Sequence, residues 1–264
     1  MGLPELELAA NMIQNDDGYY IENGIFFTAT NILTNIHTRN RNEPTYLLLI
    51  RVNNIFSKIL TILQRLDWQR KLKDKGELDY YIYLNYAESD IDYFHVLYRS
   101  LFDDVAKVLR NISQEPGQVK CKSFKSLRKW VKVSSNRKRM GEDIASIVDY
   151  CDWFEDIRKI RDSVTHREGS TMVFPEEKYI LFQTHEKGFR KILIQELMFN
   201  KNVVIFEYYA ALYLSKLLIF LDKVAKISFD KLQLRQITGN LKYSHVGLGI
   251  LHEWIDQFKK QYAT

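Results

Sequence analysis

The sequence predicts an all-α fold, an up-and-down helical bundle of four to six long helices with a small β-hairpin insertion. Three observations predict it. Glycine and proline are scarce, 11 and 4 in 264 residues, too few for the many turns of an all-β chain. Apolar residues recur with alternating gaps of three and four over several long stretches, the pattern of helices packed nearly parallel or antiparallel. Strand-like patterning is strongest in one short window, residues 170–185. Neither an internal repeat nor a low-complexity linker is evident, so one domain spanning 1–264 is expected, large enough to bury a core.

Residues 1–42 form a poorly defined N-terminal segment. Within it, 6–13 reads as a short helix, Asn15-Asp16-Asp17-Gly18 as a turn and 19–30 as extended chain. Pro44 suits the first turn of a long helix, whose seam is Leu49, Val52, Phe56, Ile59, Leu63 and Leu66. A charged exit over 67–77 follows, and 78–86 fits strand or helix. Ser89 or Asp90 is expected to cap the next helix, with Asp92 favouring its positive end. Its seam is Ile91, Phe94, Tyr98, Leu101, Val105, Val108 and Ile112, and Pro116-Gly117 ends it. A short helix follows with Phe124, Leu127 and Trp130 or Val131 inside, then a loop at Ser134-Ser135-Asn136. Gly141 precedes one long helix whose inner residues are Ile144, Ile147, Cys151, Phe154, Ile157, Ile160 and Val164, stopped by Gly169. After the hairpin, Val203 to Ile227 and Leu248 to Tyr262 repeat the seam.

Several function classes drop out. Cys121 and Cys151 fit no metal or disulfide pattern and read as free buried thiols. No Asp, Glu or His cluster has metal-ligand spacing, and no cofactor is expected. Walker, kinase and Gly-X-Ser-X-Gly signatures are missing, and Gly247-Leu248-Gly249 is too short for a phosphate loop. The first residues carry no cationic start followed by an apolar run. The most apolar segment, 203–221, contains Glu207 and Lys216 and reads as a central buried helix, not a membrane span. A cytoplasmic protein is expected. His95 reads as a core histidine, and the tyrosines between Tyr80 and Tyr98 as core and interface residues.

Charge is distributed unevenly. The formal net charge is +5. Lys120, Lys122, Lys125, Arg128, Lys129, Lys132, Arg137, Lys138 and Arg139 exceed that whole excess, and no acid interrupts the run. With Phe124 and Trp130 interleaved, these nine cations are a candidate RNA-contact surface.

The window that concentrates chemistry is Trp153 to Gly169. At about 100° per residue, Arg158, Asp162 and His166 fall in one row on its polar flank, whereas Arg161 lies only ~40° from the apolar centre. An arginine placed there is partly desolvated and calls for a partner or an anionic ligand. Arg161 and His166 stand ~140° apart. They therefore converge only if the helix breaks or if a second copy completes the site across a two-fold axis.

Arg161-Asp162-Ser163-Val164-Thr165-His166 resembles the Arg-X(4–6)-His signature of the HEPN superfamily of helical-bundle proteins, and the preceding Phe-Glu-Asp-Ile-Arg-Lys-Ile looks like the helix that leads into it. The resemblance implies a metal-independent endoribonuclease, of toxin or defence type, with its site at a homodimer interface. Arg161 and His166 would be catalytic, Asp162 supporting. RNA and an antitoxin or regulatory protein are the implied partners. The alternative is a non-catalytic bundle that binds RNA, nucleotide or a partner protein. The hairpin and two further helices after the motif depart from the family's minimal four-helix pattern.

Overall fold

The computed structural model describes residues 3–16, 18–22, 44–166, 171–174, 176, 178–183, 193–233 and 242–263, without the side chains of 22, 164–166 and 263. Nine α-helices lie among them. They are α1 (Pro4–Met12), α2 (Pro44–Asp74), α3 (Tyr80–Asn111), α4 (Phe124–Val131), α5 (Ser134–Met140), α6 (Glu142–Tyr150), α7 (Phe154–His166), α8 (Phe206–Lys231) and α9 (Val246–Ala263).

The chain is mostly helical but not strictly all-α. Two small antiparallel sheets of three strands accompany the helices. The first joins β1 (Ile13–Asn15), β2 (Tyr19–Glu22) and β6 (Lys242–Ser244). In the second, the expected hairpin, β3 (Met172–Phe174) with β4 (Leu181–Gln183), gains β5 (Val204–Ile205), so that Phe182 lies opposite both Val173 and Val204. Strands this short carry almost no alternation of their own. Pairing between segments distant in sequence creates them.

The long seams do what their spacing implies. Leu49, Val52, Phe56, Ile59, Leu63 and Leu66 of α2 are buried, as are Ile91, Phe94, Tyr98, Leu101, Val105 and Val108 of α3. These two helices form the most extensive pair in the fold. By length and composition α2 would be apolar enough to cross a membrane. Here its seam is buried against α3 and α9, and its buried Asp67 pairs with Arg70 and Lys71. Helix α8 is buried on nearly every face, as the central position expected for it requires.

Four local expectations fail for identifiable reasons. Asp79, not Ser89 or Asp90, caps α3, its carboxylate accepting from the Tyr81 and Ile82 amides at 2.9 and 3.1 Å. The helix thus starts ten residues early, and Asp90 and Asp92 lie within it. Ser134-Ser135-Asn136 opens α5 instead of forming a loop, because the residues that favour loops also favour helix starts. The Asn136 amide donates to the Trp130 carbonyl at 3.2 Å, tying α5 to the end of α4. The charged exit at 67–77 is helical to Asp74, and Gly76, at φ +73°, makes the left-handed turn beyond it. Finally, the single helix expected after Gly141 is two. Cys151 leaves helical geometry at ψ 46°, and the Asp152 carboxylate accepts from the Trp153 amide at 2.7 Å. The corner packs the Trp153 ring among Tyr98, Phe102 and Tyr213.

Glycine 247 has a steric role that its sequence context did not suggest. A Cβ there would sit 2.3 Å from the Leu60 carbonyl oxygen, so α9 approaches the α2 backbone closely. Gly247→Ala is expected to destabilise the fold by about 2 kcal/mol, read as a lower denaturation midpoint.

His95 is fully buried, its Nδ1 donating to the Ile91 carbonyl (2.8 Å) and its Nε2 accepting from the Tyr209 hydroxyl (3.0 Å). Burial lowers its pKa to about 4. The unfolded chain, with a histidine near ~6.5, therefore binds more protons in between. The stabilisation is complete above the unfolded pKa and is lost as pH falls towards 4, about 3 kcal/mol in all. Glu207 acts in the opposite sense. Burial pushes its carboxyl up to about 7, so its contribution fades as pH rises. Comparing unfolding free energies of wild type and His95→Gln from pH 7 to 4 isolates the histidine: the wild type's advantage is expected to shrink as the pH falls.

Candidate functional site

Helix α7 is positioned by its aromatic start. Phe154 packs against Phe102 of α3 and Phe124 of α4, each 4.9 Å between ring centres, and Phe102 stacks on Phe220 of α8. Four helices thus meet at one aromatic cluster, and the polar flank of α7 faces outward beside α3 and α4. Ile157 and Ile160 complete the inward face, and Ser163 is buried with them.

Along that flank runs a chain of ion pairs. Arg128 of α4 lies 3.4 Å from Glu155. The other Glu155 oxygen accepts from Arg158 Nε at 2.8 Å, and Arg158 reaches Asp162 at 2.5 Å. The second Asp162 oxygen accepts from Arg161 Nη1 at 3.0 Å. Burial opposes the charge on both Glu155 and Arg158. Their mutual hydrogen bond and the opposite charges around them together outweigh it, holding the Glu155 carboxyl below its usual range and the Arg158 guanidinium above its own. Arg161 keeps about a quarter of its side chain exposed, 26%. It is therefore partly desolvated and paired with a carboxylate, as its helical angle required. The expected row Arg158–Asp162 is real, an i, i+4 pair.

His166 closes α7, and its side chain lies outside the described residues. Asp162 has both oxygens engaged by arginines. His37 and His185 also lie outside the described residues. His245 Nδ1 accepts from the Gly247 amide at the start of α9 (3.0 Å).

One group escaped the sequence reading. Arg99 of α3 pairs with Asp103 at 3.4 Å, and its guanidinium lies 5.1 Å from the centre of the Phe154 ring. Burial lowers its pKa, Asp103 opposing and Arg161 adding to the fall. Asp103 also accepts from the Phe124 amide (3.1 Å), linking Arg99 to the start of α4. Nothing in its local sequence separates Arg99 from any other polar-flank arginine.

The nine cations divide. Lys120, Lys122, Lys129, Lys132 and Lys138 are exposed, and Lys125 is partly so. Arg128 belongs to the ion-pair chain. Arg137 is engaged by Glu142 and Asp149, and Arg139 faces Glu115 at 3.8 Å. Acids absent from the run in sequence reach it through folding. Cys121 and Cys151 are buried free thiols. Among the described residues no three His, Cys, Asp or Glu side chains gather as metal ligands would.

Asp162→Ala is expected to leave stability within about 1 kcal/mol of wild type, because its pairs are partly exposed and screened. Urea unfolding measures this, and a loss several times larger would make the chain of ion pairs a structural element. Comparison of the chain with protein-family models, with curated proteins and with solved structures gave no match.

Proposed function

We propose that the chain is a metal-independent endoribonuclease of HEPN type, acting as a homodimer, with Arg161 and His166 as the catalytic pair. The observation that supports this most directly is the junction of two features that are separate in sequence, through residues 27 positions apart. Arg128 of the basic run meets Glu155 of the motif helix, and the ion-pair chain continues from there to Arg161. A phosphodiester backbone lying over the partly exposed Lys125 and the exposed Lys129 would pass directly to the motif.

The chemistry needs only these groups. The RNA 2′-oxygen attacks phosphorus as the bond to the 5′-oxygen breaks. The imidazole of His166 takes the 2′-hydroxyl proton or delivers one to the departing 5′-oxygen. The products are a 2′,3′-cyclic phosphate and a 5′-hydroxyl. Arg161 holds the phosphoryl oxygens as charge builds on them. In this reading Asp162 keeps Arg158 and Arg161 side by side against their mutual repulsion.

Arg161→Ala and His166→Ala are each expected to reduce RNA cleavage in EDTA by about 10²-fold or more, with unchanged thermal unfolding. The assay is gel-resolved cleavage of a labelled RNA with the cyclic phosphate end identified. Equal activity in both variants would remove the catalytic assignment. Salt-sensitive RNA binding without cleavage by wild type would leave the non-catalytic binding bundle in its place.

A further inference from the structure

A second cleft, of about 660 Å³, opens between the C-terminal halves of α2 and α9, the start of α8 and the β3–β4 connection. Its size falls within the range of small-molecule sites. At its wall Arg70 is held rigidly. Its Nη1 donates to Glu207 (3.0 Å) and to the Lys178 carbonyl (3.4 Å), and its Nη2 to Asp67 (3.2 Å). Glu207 is fully buried, and its carboxylate also accepts from the Ile180 amide. These contacts use three of the five donors of a guanidinium, leaving two N–H groups on a side chain that cannot swing away.

Asp74 is the one acid of the lining, and most of the other groups can donate. The Tyr179 and Tyr208 hydroxyls share one hydrogen bond, 3.1 Å, which leaves one O–H proton unspent. Arg70 and Lys71 face Asp67 and the buried Glu207, which is only partly ionised near neutral pH, and Lys73 balances Asp74. Lys178 and Lys260 line the cleft, are exposed, and lie within ion-pair distance of no acid among the described residues. A pocket with unspent N–H and O–H donors and two uncompensated ammonium groups is matched by a polyanion. Both aromatic rings are already engaged. Tyr208 stacks on Phe258 at 4.8 Å, and the Lys178 ammonium sits 5.0 Å from the centre of the Tyr179 ring. Recognition therefore falls on charge and not on ring stacking.

We propose that this cleft binds a small phosphorylated molecule through its phosphate oxygens, independently of the α7 site. Isothermal titration of the full chain with inorganic phosphate, pyrophosphate and metal-free ATP tests it. Saturable binding of pyrophosphate or ATP is expected, weakened at least ~10-fold in the Lys178→Ala/Lys260→Ala double variant. Its melting temperature should be unchanged, since both side chains are exposed. Arg161→Ala should bind the same probes as wild type, which separates this site from the RNA reading. Tighter binding of ATP than of pyrophosphate would assign part of the cleft to the organic moiety, and equal binding would assign it to phosphate alone; both support the proposal. No saturable binding of any probe, equal affinity in the double variant, or displacement of the probe by RNA would overturn it.

Discussion

The antiparallel pairing of α2 with α3 is the constraint on which the rest of the fold depends, and its register is set by charge. An apolar seam with a regular three-four repeat has near-equivalent alternatives one turn away. Two ion pairs remove them. Asp104 and Asp90 of α3, each about 2% exposed, meet Arg51 and Arg65 of α2 at 3.0 and 2.8 Å. The partners lie fourteen residues apart on both helices, 51 to 65 and 90 to 104, two full heptads. Gln69 adds a third contact to Asp90 at 3.1 Å. A slip of one turn would leave the buried Asp90 without its arginine and Asp104 with only Lys107 of its own helix, at 2.8 Å, a cost the seam does not offset.

From that pair outward, positions follow by packing. Helix α8 lies buried among the others, and the aromatic cluster on α3 carries α4 and α7 with it. The corner at Cys151 to Trp153 has a direct consequence for the candidate site. An unbroken helix from Glu142 would have no reason to stop at the Trp153 ring. The break lets α7 start afresh from Phe154, which brings Glu155 towards Arg128 of α4. Arg99 joins the same neighbourhood from α3, so three helices contribute the guanidinium groups.

Charge shows how differently sequence and space count. The run from Lys120 to Arg139 is purely basic along the chain, yet Arg137 and Arg139 are matched by Glu142, Asp149 and Glu115 from either side of it. The exposed lysines on and around α4 carry the surface field instead. At the far end of the molecule's sequence, α9 presses Gly247 onto the α2 backbone and sends Lys260 to the rim of the second cleft. A glycine pair that looked like an inadequate phosphate loop is a packing device.

Helical content, the long seams, the buried α8, the core histidine and the partly desolvated Arg161 were legible in the residues alone. Each is set by hydrophobic spacing of 3.6 residues per turn, which a linear pattern records directly. The cap at Asp79, the break at Cys151, the strands β1, β5 and β6 and the arrival of Arg99 beside α7 were decided only by the tertiary structure. Each rests on partners distant along the chain or on local hydrogen bonds weaker than the packing they serve, and no periodicity encodes either.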